Sequence, residues 1–533
     1  MSEREGGAGL MMDRKRILFV TSNGTGLGHL TRSMAIARRL GPEVEPLFFT
    51  LSEAASVVRE VGFAVEYMAS HGSPGAGDDW RWSRRLGVRL RAVIAEAQPR
   101  ALVFDGILPY DPLLAAMRAV PLKIWCRRGL WRPGASAVPL SRSGRFDAVL
   151  EPGELAAAED GGPTAAWRRE AHTVAPIVFS RDEEILPRAE AERELGLEPG
   201  MTNVLVQLGQ GAEVGPAAER CLRALAGRDA VQVAAASSTI ATLLDVAPGV
   251  VGLGQNYPMS RFYAAFDAAV SAAGYNAFHE LIRFRVPSLF VPMERETDDQ
   301  AARARYAAQT GVGVAAEGPG DPGLERRLDV LLDPERRRTM RDRMEQLRPA
   351  DGAADAARWL EEVVAEASGV GPTARSPRRR RPTPAPRSRL RGAVAWIASV
   401  PATFRRLGVQ LISLRRLRTL IVACGVEGDE LARAVGAALE RGPDPPERVL
   451  VVTDSLTIGP LRRAGVAVEH LPGPGERQAE LAGGDYASFQ RHRLGLVLAR
   501  RPRFRRALAV GEVPADLLAA ATAPPRRRAR LLR

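Results

Sequence analysis

Short apolar runs alternate with amphipathic, helix-like stretches along most of this chain. The first run, residues 16–21 (RILFVT), enters a glycine-rich loop and then a helical pattern, and residues 46–50 repeat the strand signal. This βαβ order predicts a parallel sheet covered by helices on both faces. Further strand-like runs occur at residues 101–104, 122–125 and 148–150. We therefore predict a first doubly wound, Rossmann-like domain over residues 14–176.

A second series of the same kind begins at residues 203–207 (NVLVQ) and closes with a helical pattern near residues 353–367. Between them, apolar runs recur at residues 230–235, 250–251, 268–271, 288–291 and 313–315. This pattern predicts a second doubly wound α/β domain over residues 177–367. Ligands of open α/β sheets bind at the carboxyl ends of the strands, so we expect the chemistry in the cleft between the two domains.

The pattern begins again near the end of the chain and predicts a smaller, Rossmann-like α/β half-domain over residues 419–515. When the start of the chain is aligned with this region at a constant shift, Ala432 stands at the position of His29 and Val435 at that of Arg32. We therefore expect an accessory or partner-binding module without the chemistry of the first domain. Convergent βαβ patterning is the alternative explanation of the repeat. The repeat rests on nine identities at a constant shift of 403: Pro42, Leu47, Thr50, Ser52, Arg59, Gly62, Ala64, Val65 and Glu66 meet Pro445, Leu450, Thr453, Ser455, Arg462, Gly465, Ala467, Val468 and Glu469.

The positive charge is concentrated in one segment. Residues 371–418 contain thirteen arginines and no lysine, aspartate or glutamate, a surplus that equals the net charge of +13 of all 533 residues. Pro/Arg-rich sequence followed by tryptophan, aliphatic residues and arginine predicts a linker and a basic amphipathic segment over residues 368–418, which fits an anionic membrane surface. Residues 80–91 have a similar character, and residues 516–533 form a basic tail. Without a folded aromatic reading surface, no specific nucleic acid is expected as a partner.

Cysteine usage and hydropathy indicate the compartment. Three widely spaced cysteines, Cys126, Cys221 and Cys424, cannot form a disulfide framework or a CxxC metal site. No run of eighteen apolar residues occurs, and the acidic, glycine-rich start differs from a secretory signal. We expect a cytoplasmic protein with peripheral contact to the inner face of the plasma membrane.

The loop after the first strand, SNGTGLGHLTR, carries the first candidate chemistry. Its glycines permit a sharp turn, and the helix that follows offers free N–H groups to a polar ligand. The spacing matches G-x-G-x-x-G only loosely, which disfavours a dinucleotide. His29 stands directly behind the turn, and Asp105 ends a later strand (ALVFD). Either residue could act as a general base, or Asp105 could orient His29; a helix-capping histidine is the structural alternative.

A longer motif follows a strand of the second domain. SAAGYNAFHEL at residues 271–281 precedes two Val-Pro pairs and the sequence Asp298-Asp299-Gln300 at the head of an alanine-rich helix. These motifs resemble the nucleotide-sugar half of GT-B glycosyltransferases, especially glycosyltransferase family 28 and the peptidoglycan-precursor N-acetylglucosaminyltransferases. SNGTGLGHLTR and residues 208–212 (LGQGA) resemble the two glycine loops of the same family. The resemblance covers about residues 14–367 and implies the GT-B fold.

The resemblance implies that the second domain binds the donor. Amides at the turns of Gly209 and Gly274 would stabilise the diphosphate as the glycosidic bond breaks, without a metal. Glu280 would accept hydrogen bonds from the ribose hydroxyls, and Asp299 with Gln300 would bind the donor sugar. The donor-binding candidates are Gly209, Gln210, Gly211, Ser271, Gly274, Asn276, Glu280, Asp299 and Gln300.

In the same family the first domain binds the acceptor, and transfer normally inverts the anomeric centre. We rank His29 first as the base and Asp105 second. The arginines that follow a strand (KIWCRRGLW) suit a sugar or an anionic acceptor, although a plain surface loop is the alternative. The acceptor-side candidates are Gly26, Gly28, Arg32, Arg127 and Arg128.

We therefore predict a metal-independent, inverting hexosyltransferase that uses a UDP-type sugar as co-substrate and needs no other cofactor. The acceptor would be lipid-linked, a polysaccharide or a small molecule. A nucleotide-sugar 2-epimerase shares the two-domain architecture but usually needs further carboxylates and histidines around the sugar. A non-catalytic, nucleotide-sugar-binding scaffold is the third hypothesis.

Overall fold

The computed structural model describes a defined part of the chain. The predicted site residues Gly26, Gln210 and Gly211 lie outside it, as do residues 370–416 of the basic segment and most of the basic tail. The described residues are 15–22, 27–73, 79–209, 214–226, 228–236, 249–254, 256–369, 417–474, 476, 485–498, 504–515 and 518–519.

The chain divides into two compact units. The first comprises residues 1–65, 99–109 and 120–362, and the second comprises residues 66–98, 110–119 and 363–533. The first unit therefore contains most of both predicted doubly wound domains, here called the first and second halves. The second unit contains the third sheet together with two helices of the predicted 14–176 domain.

The first sheet has seven strands in the order β3-β2-β1-β4-β5-β6-β7. Its strands are β1 (Lys15–Thr21), β2 (Val44–Thr50), β3 (Ala64–Tyr67), β4 (Ala101–Asp105), β5 (Leu122–Cys126), β6 (Ala148–Glu151) and β7 (Ala171–Thr173). The helices of this region are α1 (Gly28–Ala37), α2 (Ala55–Glu60), α3 (Asp79–Ala97), α4 (Asp111–Ala116) and α5 (Thr164–Trp167). Strand β1 pairs in parallel with β2 and β4, which brings their carboxyl ends to one edge.

The second half contains a six-stranded sheet in the order β10-β9-β8-β11-β12-β13. Its strands are β8 (Thr202–Gln207), β9 (Val231–Ala235), β10 (Val250–Gly252), β11 (Ala268–Ala272), β12 (Ser288–Val291) and β13 (Val314–Ala315). The helices are α6 (Arg188–Leu195), α7 (Val214–Leu225), α8 (Tyr275–Arg283), α9 (Gln300–Thr310), α10 (Leu324–Leu332), α11 (Pro334–Leu347) and α12 (Gly352–Gly369).

Strand alternation explains why this sheet has a core on each face. Val204 and Val206 of β8 pack with apolar residues of α7 and α10, whereas Leu205 packs on the other face with residues of α6 and α8. Successive side chains of a strand point to opposite faces, so an unbroken apolar run buries both. The predicted fold class, two doubly wound parallel sheets with helices, is confirmed.

Helix α12 returns from the second half to the first. Trp359 stacks on His172 with ring centroids 4.7 Å apart, and Glu361 accepts a hydrogen bond from the amide of Gly41. At the start of this helix, a Cβ on Gly352 would overlap the carbonyl of Ala175. The segment in which the chain re-enters the first half, at Gly352, therefore packs against the segment in which it leaves that half, at Ala175.

The third sheet, in the second unit, has four parallel strands in the order β16-β15-β14-β17. This small α/β sheet is the one that the repeat predicts. Its elements are β14 (Thr419–Cys424), α13 (Gly428–Glu440), β15 (Val449–Thr453), α14 (Gly459–Arg463), β16 (Ala467–His470), α15 (Tyr486–Leu498) and β17 (Arg506–Gly511).

Helix α3 of the second unit carries the predicted basic stretch of residues 80–91, and the structure divides it between interior and surface. Trp82 is buried and donates a hydrogen bond to the carbonyl of Ala69 at 2.8 Å. Trp80 is exposed and lies 4.8 Å from the Arg84 guanidinium. The stretch is therefore only in part a surface feature. Within the described residues, no helix combines the length and apolar character that a membrane crossing needs.

Candidate functional site

The predicted base residues meet at the carboxyl ends of β1 and β4. Asp105 ends β4 level with Thr21 of β1, and His29 is the second residue of α1. The Nδ1 atom of His29 lies 2.7 Å from Oδ1 of Asp105. Arg32 follows one helical turn later, and its Nε donates to Oδ2 of Asp105 at 3.0 Å. The sequence thus predicted the pair, and the structure adds Arg32 as the residue that holds Asp105.

Burial and charge set the protonation states of this cluster. Burial alone would raise the pKa of Asp105, but the Arg32 guanidinium and the hydrogen bond to His29 hold that pKa below its usual range. Burial lowers the pKa of His29 below 6.5 despite the opposing influence of Asp105. At neutral pH the cluster therefore contains a carboxylate, a neutral imidazole and a guanidinium.

The short contact to Asp105 also fixes the tautomer of His29. The carboxylate can only accept a hydrogen bond, so Nδ1 carries the proton. The guanidinium nitrogen of Arg32 that lies 3.1 Å from Nδ1 is then a close neighbour rather than a donor to it. Nε2 keeps its lone pair, and no partner for it exists among the described residues. A neutral imidazole held in this way has the chemistry that a general base requires.

Arg127 and Arg128, adjacent in sequence, have different surroundings. Arg127 is buried, pairs with Glu170 and donates to the carbonyl of Trp167 at 3.0 Å. We therefore assign Arg127 a structural role within the first half. Arg128 reaches the second half, where it donates to Asp298 at 2.8 Å.

The N-terminus of α8 faces the first half. Asn276 donates to the carbonyl of Gly28 at 3.3 Å, directly before His29. The Arg32 guanidinium lies 5.5 Å from the ring centroid of Tyr275. Gly274 is the N-cap of α8 in an ordinary extended conformation, so the turn itself does not require glycine. The start of α8 and the base cluster are thus neighbours.

Glu280 is a buried carboxyl group with little local support. One oxygen accepts a long hydrogen bond of 3.4 Å from the amide of Phe179. Burial raises the pKa of Glu280 to about 7. A buried carboxyl group of this kind is suited to accept hydrogen bonds from the hydroxyls of a ligand.

The remaining donor candidates of β8 and β11 differ in character. Ser271 is buried and donates to the carbonyl of Ala272, so its hydroxyl serves the local turn. Gly209, after β8, has a φ of +78°, a conformation that favours glycine. The structure supports the glycine requirement at Gly209 and does not describe Gln210 or Gly211.

Asp299 and Gln300 begin α9 and line a cavity. Asp299 caps the helix by accepting from the amide of Ala302 at 2.9 Å, and Gln300 accepts from the amide of Met293 at 3.0 Å. The cavity measures about 1040 Å³ and takes lining from both halves, with Arg132 and Pro133 contributed by the first. Of the described residues, His29, Gly274 and Glu280 are not part of its lining. Asp299 and Gln300 therefore combine structural contacts with access to a ligand-sized space.

A connection that the sequence did not reveal joins the halves beside this cavity. The amide of Arg132 donates to the carbonyl of Thr297 at 2.8 Å, and the amide of Asp299 donates to the carbonyl of Leu130 at 3.2 Å. We call these paired segments, residues 128–132 and 297–299, the clasp.

Paired charges of low solvent exposure reinforce the clasp. Asp298 accepts from Arg128 and from Arg303, each at 2.8 Å, and Arg303 also donates to Glu154 at 2.8 Å. His279 lies 3.1 Å from Glu154. Burial would raise the pKa of Glu154, but Arg303 lowers it to about 2. Two arginines and two carboxylates thus balance in a network of low solvent exposure that spans both halves. No local sequence pattern marks this network, because its members come from four separate segments.

The described residues contain no group of three or more His, Cys, Asp or Glu side chains arranged to hold a metal ion. Of the predicted residues, the structure brings His29, Arg32 and Asp105 together and sets Gly28 and Asn276 beside them. Asp299, Gln300 and Arg128 gather at the cavity and the clasp. Arg127 and Ser271 belong to neither group.

Comparison with curated proteins supports the motif resemblance. The chain is 36% identical over 113 residues to the UDP-N-acetylglucosamine–N-acetylmuramyl-(pentapeptide) pyrophosphoryl-undecaprenol N-acetylglucosamine transferase of Synechococcus sp. (strain RCC307). The match covers 19% of this chain and 31% of the relative, so the chain spans less than a third of the length of the curated relative that it matches. The resemblance to the peptidoglycan-precursor N-acetylglucosaminyltransferases is confirmed over this stretch. No family model matches the chain.

Solved structures of other proteins are similar to about two thirds of this chain at low sequence identity. The glycotransferase of kitacinnamycin has a TM-score of 0.45 at 16% identity and covers 66% of this chain and 100% of its own. MurG of Acinetobacter baumannii has a TM-score of 0.42 at 14% identity, covering 66% and 99%. S. aureus MnaA, in a co-structure with UDP, has a TM-score of 0.47 at 11% identity, covering 67% and 97%.

Proposed function

We propose that this protein is a glycosyltransferase, which moves a hexose-type sugar from a UDP-type sugar nucleotide to an acceptor hydroxyl. One observation carries the proposal. The imidazole on Asp105 lies beside the N-terminus of α8, through the contact between Asn276 and Gly28. A proton acceptor and a helix start suited to phosphate thus meet at the carboxyl ends of two parallel sheets.

The reaction would be a single displacement at the anomeric carbon. Nε2 of His29 takes the proton of the acceptor hydroxyl while the acceptor oxygen forms the new glycosidic bond. The bond from the anomeric carbon to the diphosphate breaks, and the nucleoside diphosphate leaves with the electron pair. Asp105 stabilises the imidazolium that results, and Arg32 keeps Asp105 in position. Displacement from the opposite side inverts the anomeric centre.

The second half would hold the donor. Amides at the start of α8 and the loop at Gly209 would stabilise the leaving diphosphate, and Glu280 would accept hydrogen bonds from the ribose hydroxyls. Asp299 and Gln300 would contact the donor sugar from the cavity. We propose that these groups suffice without a metal ion. The curated relative is named for a lipid-linked acceptor, and we propose an acceptor of the same kind at an anionic membrane surface.

The test uses the purified full chain and a panel of UDP-, GDP- and dTDP-sugars. We expect a UDP-sugar to raise the Tm, because a ligand that binds the folded state stabilises it. With that sugar and a membrane-lipid extract as acceptor source, we expect UDP release and a glycosylated lipid, both unchanged by a chelator.

The rival hypotheses predict different products from the same incubation. A 2-epimerase would produce the C2 epimer of the sugar nucleotide and incorporate solvent deuterium at C2. A scaffold would be stabilised by the sugar nucleotide without any turnover. Either result would replace the proposed transfer reaction.

A further inference from the structure

The repeat in the sequence has a counterpart in the topology. The third sheet has the order β16-β15-β14-β17, and the first four strands of the chain have the matching order β3-β2-β1-β4. Strand β16 (AVEH) and strand β3 (AVEY) coincide at the shift of 403, and each lies at the edge of its sheet. Similar sequence, strand order and edge position together favour an internal copy over convergent patterning.

One arginine of α3 binds the same groups of both copies. The guanidinium of Arg89 donates to Glu66 Oε1 at 2.8 Å and to the carbonyl of Tyr67 at 3.1 Å. It also donates to Glu469 Oε2 at 3.0 Å and to the carbonyl of His470 at 3.2 Å. Glu66 and Tyr67 correspond to Glu469 and His470 at the shift of 403. Arg89 thus joins equivalent carboxylates and equivalent carbonyls of two related strands.

A second arginine, from α15, strengthens the same contact. Arg493 lies 3.0 Å from Oε2 of Glu66 and 2.5 Å from Oε2 of Glu96, which belongs to α3. Arg89, Arg493, Glu66 and Glu469 are all nearly inaccessible to solvent. Buried charges are tolerated only when they are paired. The contact between the copies therefore supplies the carboxylates that compensate the burial of Arg89 and Arg493.

The second copy lacks the chemistry of the first. In the first sheet, Asp105 lies level with Thr50 across the central strand. In the third sheet, Val510 lies level with Thr453, the counterpart of Thr50. The position of the carboxylate is therefore a valine, and the position of the histidine is Ala432. The second copy thus keeps the contact residue Glu469, the counterpart of Glu66, but has no counterpart of His29 or Asp105. This combination indicates an interaction module.

We propose that the module of residues 417–515 is a built-in partner, which binds the edge formed by β3 and α3 as a second copy of that fold would. The two sides meet quasi-symmetrically around Arg89. Helix α3 contacts α15 of the module through Glu96 and Arg493, and the module takes the place at this edge that a second chain would otherwise occupy.

The test measures hydrogen exchange on the full-length protein and on the variant Arg89→Met. Because one guanidinium bonds both copies, we expect faster exchange in α3 and in β16 together, on the order of a hundredfold. Arg91→Met is the matched control, since Arg91 lies exposed on the same helix. Acceleration confined to α3, or rates equal to those of Arg91→Met, would overturn the proposal.

Global unfolding of Arg89→Met would be recognised by faster exchange in β8 and β11 of the other unit. Arg89→Lys then replaces it, because lysine keeps the charge but not the planar fork. The carboxylates provide a further test, since Glu66→Gln and Glu469→Gln should each accelerate both α3 and β16. A variant that affects only its own side would show that the contact is not shared between equivalent positions.

Discussion

His29 and Asp105 differ in solvent exposure and in the partners that they contact. The imidazole is partly accessible, whereas the Asp105 carboxylate is fully buried and occupied by Arg32. Only His29 therefore retains a lone pair for an incoming proton. This geometry favours His29 as the base and Asp105 as its orienting partner.

Replacement of His29 tests this division. We expect His29→Ala to lower kcat by about a hundred- to ten-thousand-fold, because the base acts on the acceptor hydroxyl in the transition state. Donor affinity should change little. Asp105→Asn should also lower kcat, since it removes the partner of Nδ1. Steady-state kinetics at saturating donor, with His172→Ala as the control, measure both effects. Near-normal turnover of His29→Ala with a disabled Asp105→Asn would make Asp105 the base.

The pH profile gives an independent check on His29. Burial lowers the pKa of His29 below 6.5, so the neutral base persists as the solution becomes mildly acidic. At saturating donor, where the affinity for the donor no longer affects the rate, we expect kcat to fall only below pH 6.5, when the imidazole gains a proton. An acidic limb centred above that value would contradict the proposed protonation state.

Glu280 predicts a pH dependence of donor binding. Its pKa is about 7, and hydroxyls that donate to a carboxylate favour the ionised form. Donor affinity should therefore increase as the pH rises through about 7, and Glu280→Gln should abolish this dependence. Loss of these hydrogen bonds should weaken binding by roughly 1–3 kcal/mol. Isothermal titration calorimetry with UDP measures the affinity, and Glu335→Gln, a change at an exposed glutamate, is the control. Equal affinities of Glu280→Gln and Glu335→Gln for UDP would contradict the proposed role of Glu280.

The sequence predicted the surroundings of the candidate site residues unevenly. His29, Asp105 and Glu280 stand in local motifs, next to glycines or at strand ends. Arg32 was predicted on the acceptor side, and the structure shows its guanidinium bonded to Asp105, a contact that the sequence did not indicate. Arg127 was an acceptor-side candidate as well, but it is paired with Glu170. The sequence did not indicate this pair, because the two residues are distant along the chain. Local spacing identifies which residues can react, whereas tertiary contacts decide which are already paired.

Among the structural elements, the clasp couples the two halves at the cavity. Residues 297–299 are held by the first half through backbone hydrogen bonds and Arg128, immediately before Gln300. The position of the proposed sugar contacts thus depends on the relative placement of the halves. This dependence could not be read from the sequence, because each segment alone looks like an ordinary loop.

Arg128→Met tests the coupling. Asp298 keeps its bond to Arg303, so the fold should persist while one link between the halves is lost. We expect faster hydrogen exchange at the amides of Arg132 and Asp299, and a higher donor KM with a smaller change in kcat. Arg145→Met, an exposed arginine of the first half, is the control. Unchanged exchange at both amides would show that Arg128 does not maintain the clasp.

At the scale of the whole molecule, the hydrophobic pattern predicted all three sheets. It did not predict that α3 and α4 group with the third sheet. The reason lies in pairs such as Arg89 and Glu469, which are 380 positions apart in the sequence. When only its sequence neighbours are considered, each of these charged residues is expected on the surface. Long-range pairing of charged residues is therefore the part of this fold that patterning does not reveal.

The uneven charge predicts membrane binding by one segment. Replacing the arginines of residues 371–416 with serine, at constant chain length, should release the protein from anionic vesicles. Transfer to a water-soluble acceptor should continue. Co-sedimentation at low and high salt measures the effect, since salt screens such attraction. Binding that persists would assign the contact to another surface, with the exposed part of residues 80–91 as the first candidate.

The packing of Gly352 against Ala175 has a mechanical consequence. The chain passes between the halves twice, and both passages touch at this point. Two adjacent covalent connections join the halves here, so the halves stay together at this point even where the noncovalent contacts of the clasp are lost. The clasp is a second, noncovalent connection between the same halves, and it lies beside the cavity. A side chain at position 352 would overlap the carbonyl of Ala175, so a single methyl group would force the two connections apart at a place distant in sequence from His29 and Asp105.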